Sequence, residues 1–205
     1  MTNEQTLAPH ASAGVTNDKS ARRKATALGV AAFVGLLLLV LGACSLIPMN
    51  LGSASSGASG RPTAVKMGEL APEIDLPALG GDQITLSKLQ GHPIIVNFWA
   101  TWCGPCRQEF PALVRKYKQY QEQGLVIVAV NTGDPNSDDG VLTFARNTLV
   151  NFPIVRDTDE RAARMYNVRG LPTSIFIDRK GIVRDIFVGG PMDEAFIDQK
   201  FALIN

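Results

Sequence analysis

Beyond about residue 65 the chain is predicted to fold as one α/β domain, a central mixed sheet covered by helices on both faces. Three observations predict it. Residues 94–98 (Ile-Ile-Val-Asn-Phe) and 125–130 (Leu-Val-Ile-Val-Ala-Val) are short, nearly unbroken apolar runs, as in strands covered on both sides. Between them Phe110, Leu113, Val114, Tyr117 and Tyr120 recur at helical spacing, which predicts a helix over residues 107–123 stopped by Gly124. Near the C-terminus, a turn at Asp178-Arg179-Lys180-Gly181 joins the runs 173–177 and 182–188 into a hairpin.

The N-terminal third is organised differently. Residues 1–24 are polar and end in Arg22-Arg23-Lys24, after which no charged side chain occurs until Arg61. Within that gap residues 25–47 are almost wholly apolar, long enough at 1.5 Å per residue to cross a bilayer core of about 30 Å. The basic cluster places the tail in the cytoplasm and everything beyond the span outside it. A second reading stays open, because Leu41-Gly42-Ala43-Cys44 looks like a bacterial lipobox, with cleavage before Cys44 and lipid on its sulfur. Spanning length favours the uncleaved anchor. The expected divisions are a cytoplasmic tail (1–24), an anchor or lipoprotein signal (25–49), a Ser/Gly/Ala-rich flexible linker (50–64) and one domain (65–205).

Within the domain, residues 74–76 and 83–86 flank Gly80-Gly81-Asp82 and predict a hairpin-like pair ahead of the core. Ser87 and Gln90 have the spacing of a capping box and predict a brief helical turn. Pro111, inside the long helix, is expected to kink it. Residues 131–140 read as a polar loop, followed by helices around 141–147 and 160–166 and a last one over 192–203. The net charge of +1 gives no electrostatic reason to expect nucleic acid.

Chemistry concentrates in Trp102-Cys103-Gly104-Pro105-Cys106. Two thiols separated by two residues can close a disulfide and reopen it. Their place between a strand and a helix makes the pair a redox centre. A thiol at a helix start faces free backbone N–H groups and the positive end of the helix dipole, which favour thiolate. Cys103 is therefore expected to attack first, and Cys106, one turn further in and more shielded, second. Half of a zinc site is the competing reading, but it needs a second Cys or His pair, and His10 and His92 stand alone. No metal and no cofactor is expected. Asp134-Pro135-Asn136-Ser137-Asp138-Asp139-Gly140 resembles the start of a calcium loop but holds Asp139 at the required glycine and Ala145 at the twelfth position, so a solvated loop is expected.

The segment Asn97-Phe98-Trp99-Ala100-Thr101-Trp102-Cys103-Gly104-Pro105-Cys106 resembles the active-site segment of the thioredoxin superfamily. With Glu109 three residues on, it resembles in particular its membrane-anchored ResA/TlpA/CcmG-like branch. The likeness continues through Ala71-Pro72, Phe152-Pro153, Tyr166-Asn167-Val168 and Gly170-Leu171-Pro172-Thr173. It implies a thioredoxin-like fold and an extracytoplasmic thiol-disulfide oxidoreductase that reduces disulfides of exported proteins, apocytochrome c commonest among them. Electrons would come from a membrane thiol carrier of the CcdA/DsbD kind.

The resemblance also implies that Pro172 is a cis-proline facing the cysteines, with the Leu171 backbone free to pair with an extended substrate. Gly104, Pro105 and Thr173 line the same surface, and Trp102 offers it a flat apolar contact, whereas Trp99 belongs to the core. Thioredoxins proper carry a buried aspartate where this chain has Asn97, and an amide cannot shuttle a proton. Glu109 matches the active-site glutamate of the branch; burial near two thiols would raise its pKa into the range of acid–base work, the alternative being a solvated helix glutamate. Two other functions remain in view. A peroxiredoxin-like peroxidase would carry Pro and Thr where this chain has Val96 and Ala100, and a tethered docking module would work without Cys103.

Overall fold

The computed structural model describes residues 60–205. The tail, the apolar segment with Cys44 and most of the linker lie outside the described residues. Among the described residues no helix is long and apolar enough to cross a membrane.

Strands β1 (Asp75–Pro77) and β2 (Gln83–Thr85) pair antiparallel, Leu76 opposite Ile84. A 3-10 turn, Leu86–Leu89, follows. The capping box expected at Ser87 does not form: Ser87 lies inside the turn, and its N–H donates to Glu73 Oε1 at 2.9 Å. Next come β3 (Ile94–Trp99), α1 (Gly104–Tyr120), a 3-10 extension (Gln121–Gln123) and β4 (Val126–Thr132). Helix α1 starts three residues before the expected Arg107, because Cys103 itself caps it. The helix continues through Pro111.

Ser137 caps α2 (Asp138–Asn147), its Oγ accepting the Gly140 N–H, so this helix begins earlier than the apolar pattern suggested. The remaining elements are β5 (Ile154–Asp157), α3 (Arg161–Met165), β6 (Thr173–Ile177), β7 (Val183–Val188) and α4 (Glu194–Ile204), the last capped by Asp193. Strand β5 was not predicted; only its first two residues, Ile154 and Val155, are apolar.

The main sheet has the order β5-β4-β3-β6-β7, with β3, β4 and β5 parallel and β6 and β7 antiparallel. Strand β3 is central and wholly buried, and its alternation sorts the core. Ile95 and Trp99 face Phe110 and Leu113 of α1, Val141 of α2 and Ile197 and Phe201 of α4. Ile94, Val96 and Phe98 face Ile74, Leu76, Leu86 and the Ala162, Ala163 and Tyr166 of α3. The second face is therefore covered by one short helix and the β1–β2 extension. Asn97 is the polar exception on β3. By alternation its side chain points to the α1 face, between Ile95 and Trp99.

Candidate active site

Strand β3 ends at Trp99, held at its Phe98 end against Thr173 of β6 and along Trp99 against Asn131 of β4. Loops leaving these strand ends converge at one edge of the sheet, as open α/β sheets do at the carboxyl ends of parallel strands. Cys103 is the N-cap of α1: its backbone is extended (φ −75°, ψ 109°) and its Sγ accepts the Cys106 N–H at 3.2 Å. Pro105, in the first turn, has no N–H to leave unpaired. Cys103 and Cys106 are joined in a disulfide. Both sulfur residues are covered, Cys103 at 3% exposure and Cys106 at 0%, so the expected contrast between a reachable and a shielded sulfur is small in this oxidised form.

Glu109 lies one turn beyond Cys106 and is fully buried. Its Oε1 accepts from Asn97 Nδ2 at 2.8 Å and its Oε2 from the Met192 N–H at 3.3 Å. The Asn97 amide also donates to Ser174 Oγ at 3.0 Å, while its own Oδ1 has no partner. Burial pushes the Glu109 pKa up to about 7, against the two hydrogen bonds, which favour the anion. A carboxyl near neutrality can take or give a proton at physiological pH. Glu109 is thus buried, not solvated on the helix surface.

Pro172 follows a cis Leu171–Pro172 peptide and is buried, with Leu171 partly exposed beside it and Thr173 buried, its Oγ1 donating to the Gly170 carbonyl at 2.7 Å. Gly104 and Pro105 are exposed. Trp102 is 58% exposed, while Trp99 is fully buried against Phe110 and Phe144. His92 is at the other end of β3, its Nδ1 2.9 Å from the Gly124 carbonyl.

The segment read as a solvated loop holds a residue the sequence did not single out. Asp134 accepts from the Thr101 N–H at 2.6 Å, Thr101 Oγ1 at 3.0 Å, Asn131 Nδ2 at 2.9 Å and the Asn136 N–H at 3.1 Å. Beside it the Gly133 carbonyl accepts from Trp102 Nε1 at 3.0 Å. Burial acts to raise the Asp134 pKa, but these hydrogen bonds outweigh it and hold the carboxyl below its usual range. The legible signal was position: an acidic residue just after a parallel strand that neighbours β3.

Comparison with known proteins agrees with this arrangement. The AhpC/TSA family pattern matches residues 67–186. The chain belongs to the AhpC/TSA family. It is similar to the thiol-disulfide oxidoreductase ResA of Bacillus subtilis (strain 168), 40% identical over 142 residues, which cover 69% of this chain and 78% of that protein. The ResA of Geobacillus kaustophilus (strain HTA426) is 41% identical over 127 residues, 62% of this chain and 72% of that one. A crystal structure described as a thiol:disulfide interchange protein DsbE from Chlorobium tepidum superposes with a TM-score of 0.63 at 33% identity, covering 69% of this chain and all of that one. This family member is a thiol-disulfide oxidoreductase with a thioredoxin-like fold, and Cys103 and Cys106 are the cysteine pair of its described domain.

Proposed function

We propose that this oxidoreductase reduces disulfides of exported proteins, apocytochrome c among them, from a position tethered outside the cytoplasm. Reduced Cys103, as thiolate, attacks one sulfur of a substrate disulfide; a mixed disulfide forms and the other substrate sulfur leaves as a thiolate, which takes a proton from water. Glu109 then takes the Cys106 proton, Cys106 attacks the Cys103 sulfur, and the second substrate thiol departs. Two electrons pass to the substrate and the Cys103–Cys106 disulfide remains. A membrane thiol carrier of the CcdA/DsbD kind returns those electrons. Pro172 and the Leu171 backbone seat the substrate strand, with Trp102, Gly104, Pro105 and Thr173 around it. Residues 25–49 supply the tether as a membrane span, or Cys44 does so through lipid.

The observation that carries this reading is the buried Glu109 carboxyl, tuned to about 7 and held by Asn97 one turn behind the cysteine pair. Peroxide reduction is disfavoured because Val96 and Ala100 stand in place of the Pro and Thr of a peroxidatic loop. The test is complementation of a strain defective in cytochrome c maturation. The unaltered chain restores maturation and Cys103→Ser abolishes it. Restoration by Cys103→Ser would leave a docking module as the function, and a reduction potential close to that of strong oxidants would reverse the direction assigned here.

A further inference from the structure

Gly189 and Gly190 precede Pro191 in the segment joining β7 to α4, and they are glycine for different reasons. Gly189 has φ +95° and open space where a side chain would be, so its requirement is conformational. Gly190 has no left-handed φ, but a Cβ there would stand 2.8 Å from Pro172 Cγ and 3.0 Å from Glu109 Oε2. Side-chain carbons do not pack so closely. The segment is also fastened on both sides of Gly190: the Gly189 N–H donates to the Pro172 carbonyl at 2.8 Å, and the Met192 N–H to Glu109 Oε2 at 3.3 Å.

We propose that Gly190 is a positioning residue of the active site, its bare backbone forming the wall against which the Glu109 carboxyl and the Pro172 ring are seated together. The consequence for catalysis rests on Glu109 being the proton-transfer group; the geometry does not. Around the carboxyl, β3 contributes Asn97 with Ser174 of β6 behind it, and the 189–192 segment contributes Gly190 and the Met192 N–H. On its own helix Cys106 lies one turn earlier, bound in the disulfide. Among the described residues no charged side chain bonds Glu109, so burial by these neutral groups dominates its titration.

The test is a carbon-13 NMR titration of the Glu109 carboxyl in the oxidised full-length protein, with and without Gly190→Ala. An added methyl cannot move the Pro172 ring cheaply, so it lifts the segment or displaces the carboxyl and lets water in. Water entry relieves the burial that raises this pKa, the largest influence on it. The midpoint, near 7 in the unaltered protein, is expected to fall by at least about half a unit, roughly a threefold change in proton affinity. Gly81→Ala, whose Cβ would meet only Ala78 Cβ at 3.9 Å, leaves it in place. An unchanged or raised midpoint in Gly190→Ala overturns the proposal. Should that variant not fold, the unaltered protein still decides: nuclear Overhauser contacts between the Gly190 α-protons and the Pro172 ring are expected, and their absence overturns it. Both readouts are independent of turnover, so a catalytic failure of Glu109 would appear separately, as full activity in Glu109→Gln.

Discussion

Two carboxylates flank the Cys103–Cys106 loop and are treated oppositely. Glu109, behind it, is fully buried and receives two donors, one of them long at 3.3 Å. Asp134, in front, is partly exposed and receives donors from Thr101, Asn131 and Asn136 on both oxygens. Burial opposes the charge at both, yet one pKa rises to about 7 and the other falls below its usual range. What differs is whether donors keep pace with burial. Where they do, the carboxylate is a fixed anchor; where they do not, its pKa moves toward neutrality. The cysteine loop sits between one of each.

Substituting Glu109 breaks the comparison most severely. Its folded-state pKa is raised from 4.5 to about 7, so between those values the folded protein keeps a proton that the unfolded chain has released. The stability this contributes is present below about 4.5 and lost as pH rises through about 7, a total of about 3 kcal/mol for a shift of this size. Glu109→Gln removes that loss. Gln keeps only one acceptor oxygen, so either the Met192 N–H or the Asn97 amide loses its partner, a cost of about 1–3 kcal/mol that does not vary with pH. In denaturant titrations of the oxidised protein, the stability of Glu109→Gln relative to the parent is expected to rise by up to about 3 kcal/mol between pH 4 and pH 8. Disulfide reduction falls about a hundredfold, the scale of a lost general base. A parent that instead gained on the variant as pH rose would put both carboxylates in the anchor class, and no change with pH would mean that Glu109 titrates as it does in the unfolded chain.

The two sides also differ in how far the sequence disclosed them. Glu109 was legible through the resemblance, which matches it to the active-site glutamate of the branch, and its place one turn beyond Cys106 on the same helix kept it beside the pair. Its partners were less so. The Met192 N–H comes from the approach to α4, and Asn97, itself bonded to Ser174 of β6, comes from β3; only the fold brings them to residue 109. Asp134 was misread because a run of Asp, Asn and Ser looks the same whether solvated or folded back on Thr101. Strand β5 escaped for a related reason: four residues at a sheet edge, ending in Arg156 and Asp157, carry too little apolar pattern to register. The early start of α1 follows from a cap made by a cysteine sulfur, a residue outside the usual capping set.

Asp134→Asn sharpens the front half of the contrast. The change keeps the shape but replaces an acceptor oxygen with an NH2 facing the Thr101 and Asn131 donors. Because the folded pKa is depressed, the contribution of this carboxylate is present above the unfolded value and lost as pH falls through the folded one. The substitution should cost about 1–2 kcal/mol at pH 7, the scale of a hydrogen-bonded charge, and less at pH 3. That trend with pH is opposite in sign to the one expected for Glu109→Gln. Unfolding at the two pH values checks it, and a cost that grows on acidification would mean that Asp134 is not held ionised by its donors.

The smallest effect on stability is expected at Trp102, although it adjoins Cys103. The ring is 58% exposed and its one polar bond goes to the Gly133 carbonyl, beside the Asp134 anchor. Little apolar area is removed from water by folding, so Trp102→Ala should change stability by less than about 1 kcal/mol, far below the 3–5 kcal/mol of a buried tryptophan such as Trp99. Its loss should instead appear with large substrates. An exposed aromatic of this size, when covered by a partner, contributes about 1–2 kcal/mol, so KM for a protein disulfide is expected to rise about tenfold while reduction of a small disulfide such as cystine is unchanged. A stability loss as large as that of Trp99→Ala would mean that the front of the site is packed as tightly as its back. The two sides of the cysteine pair would then differ in donor count alone, not in access.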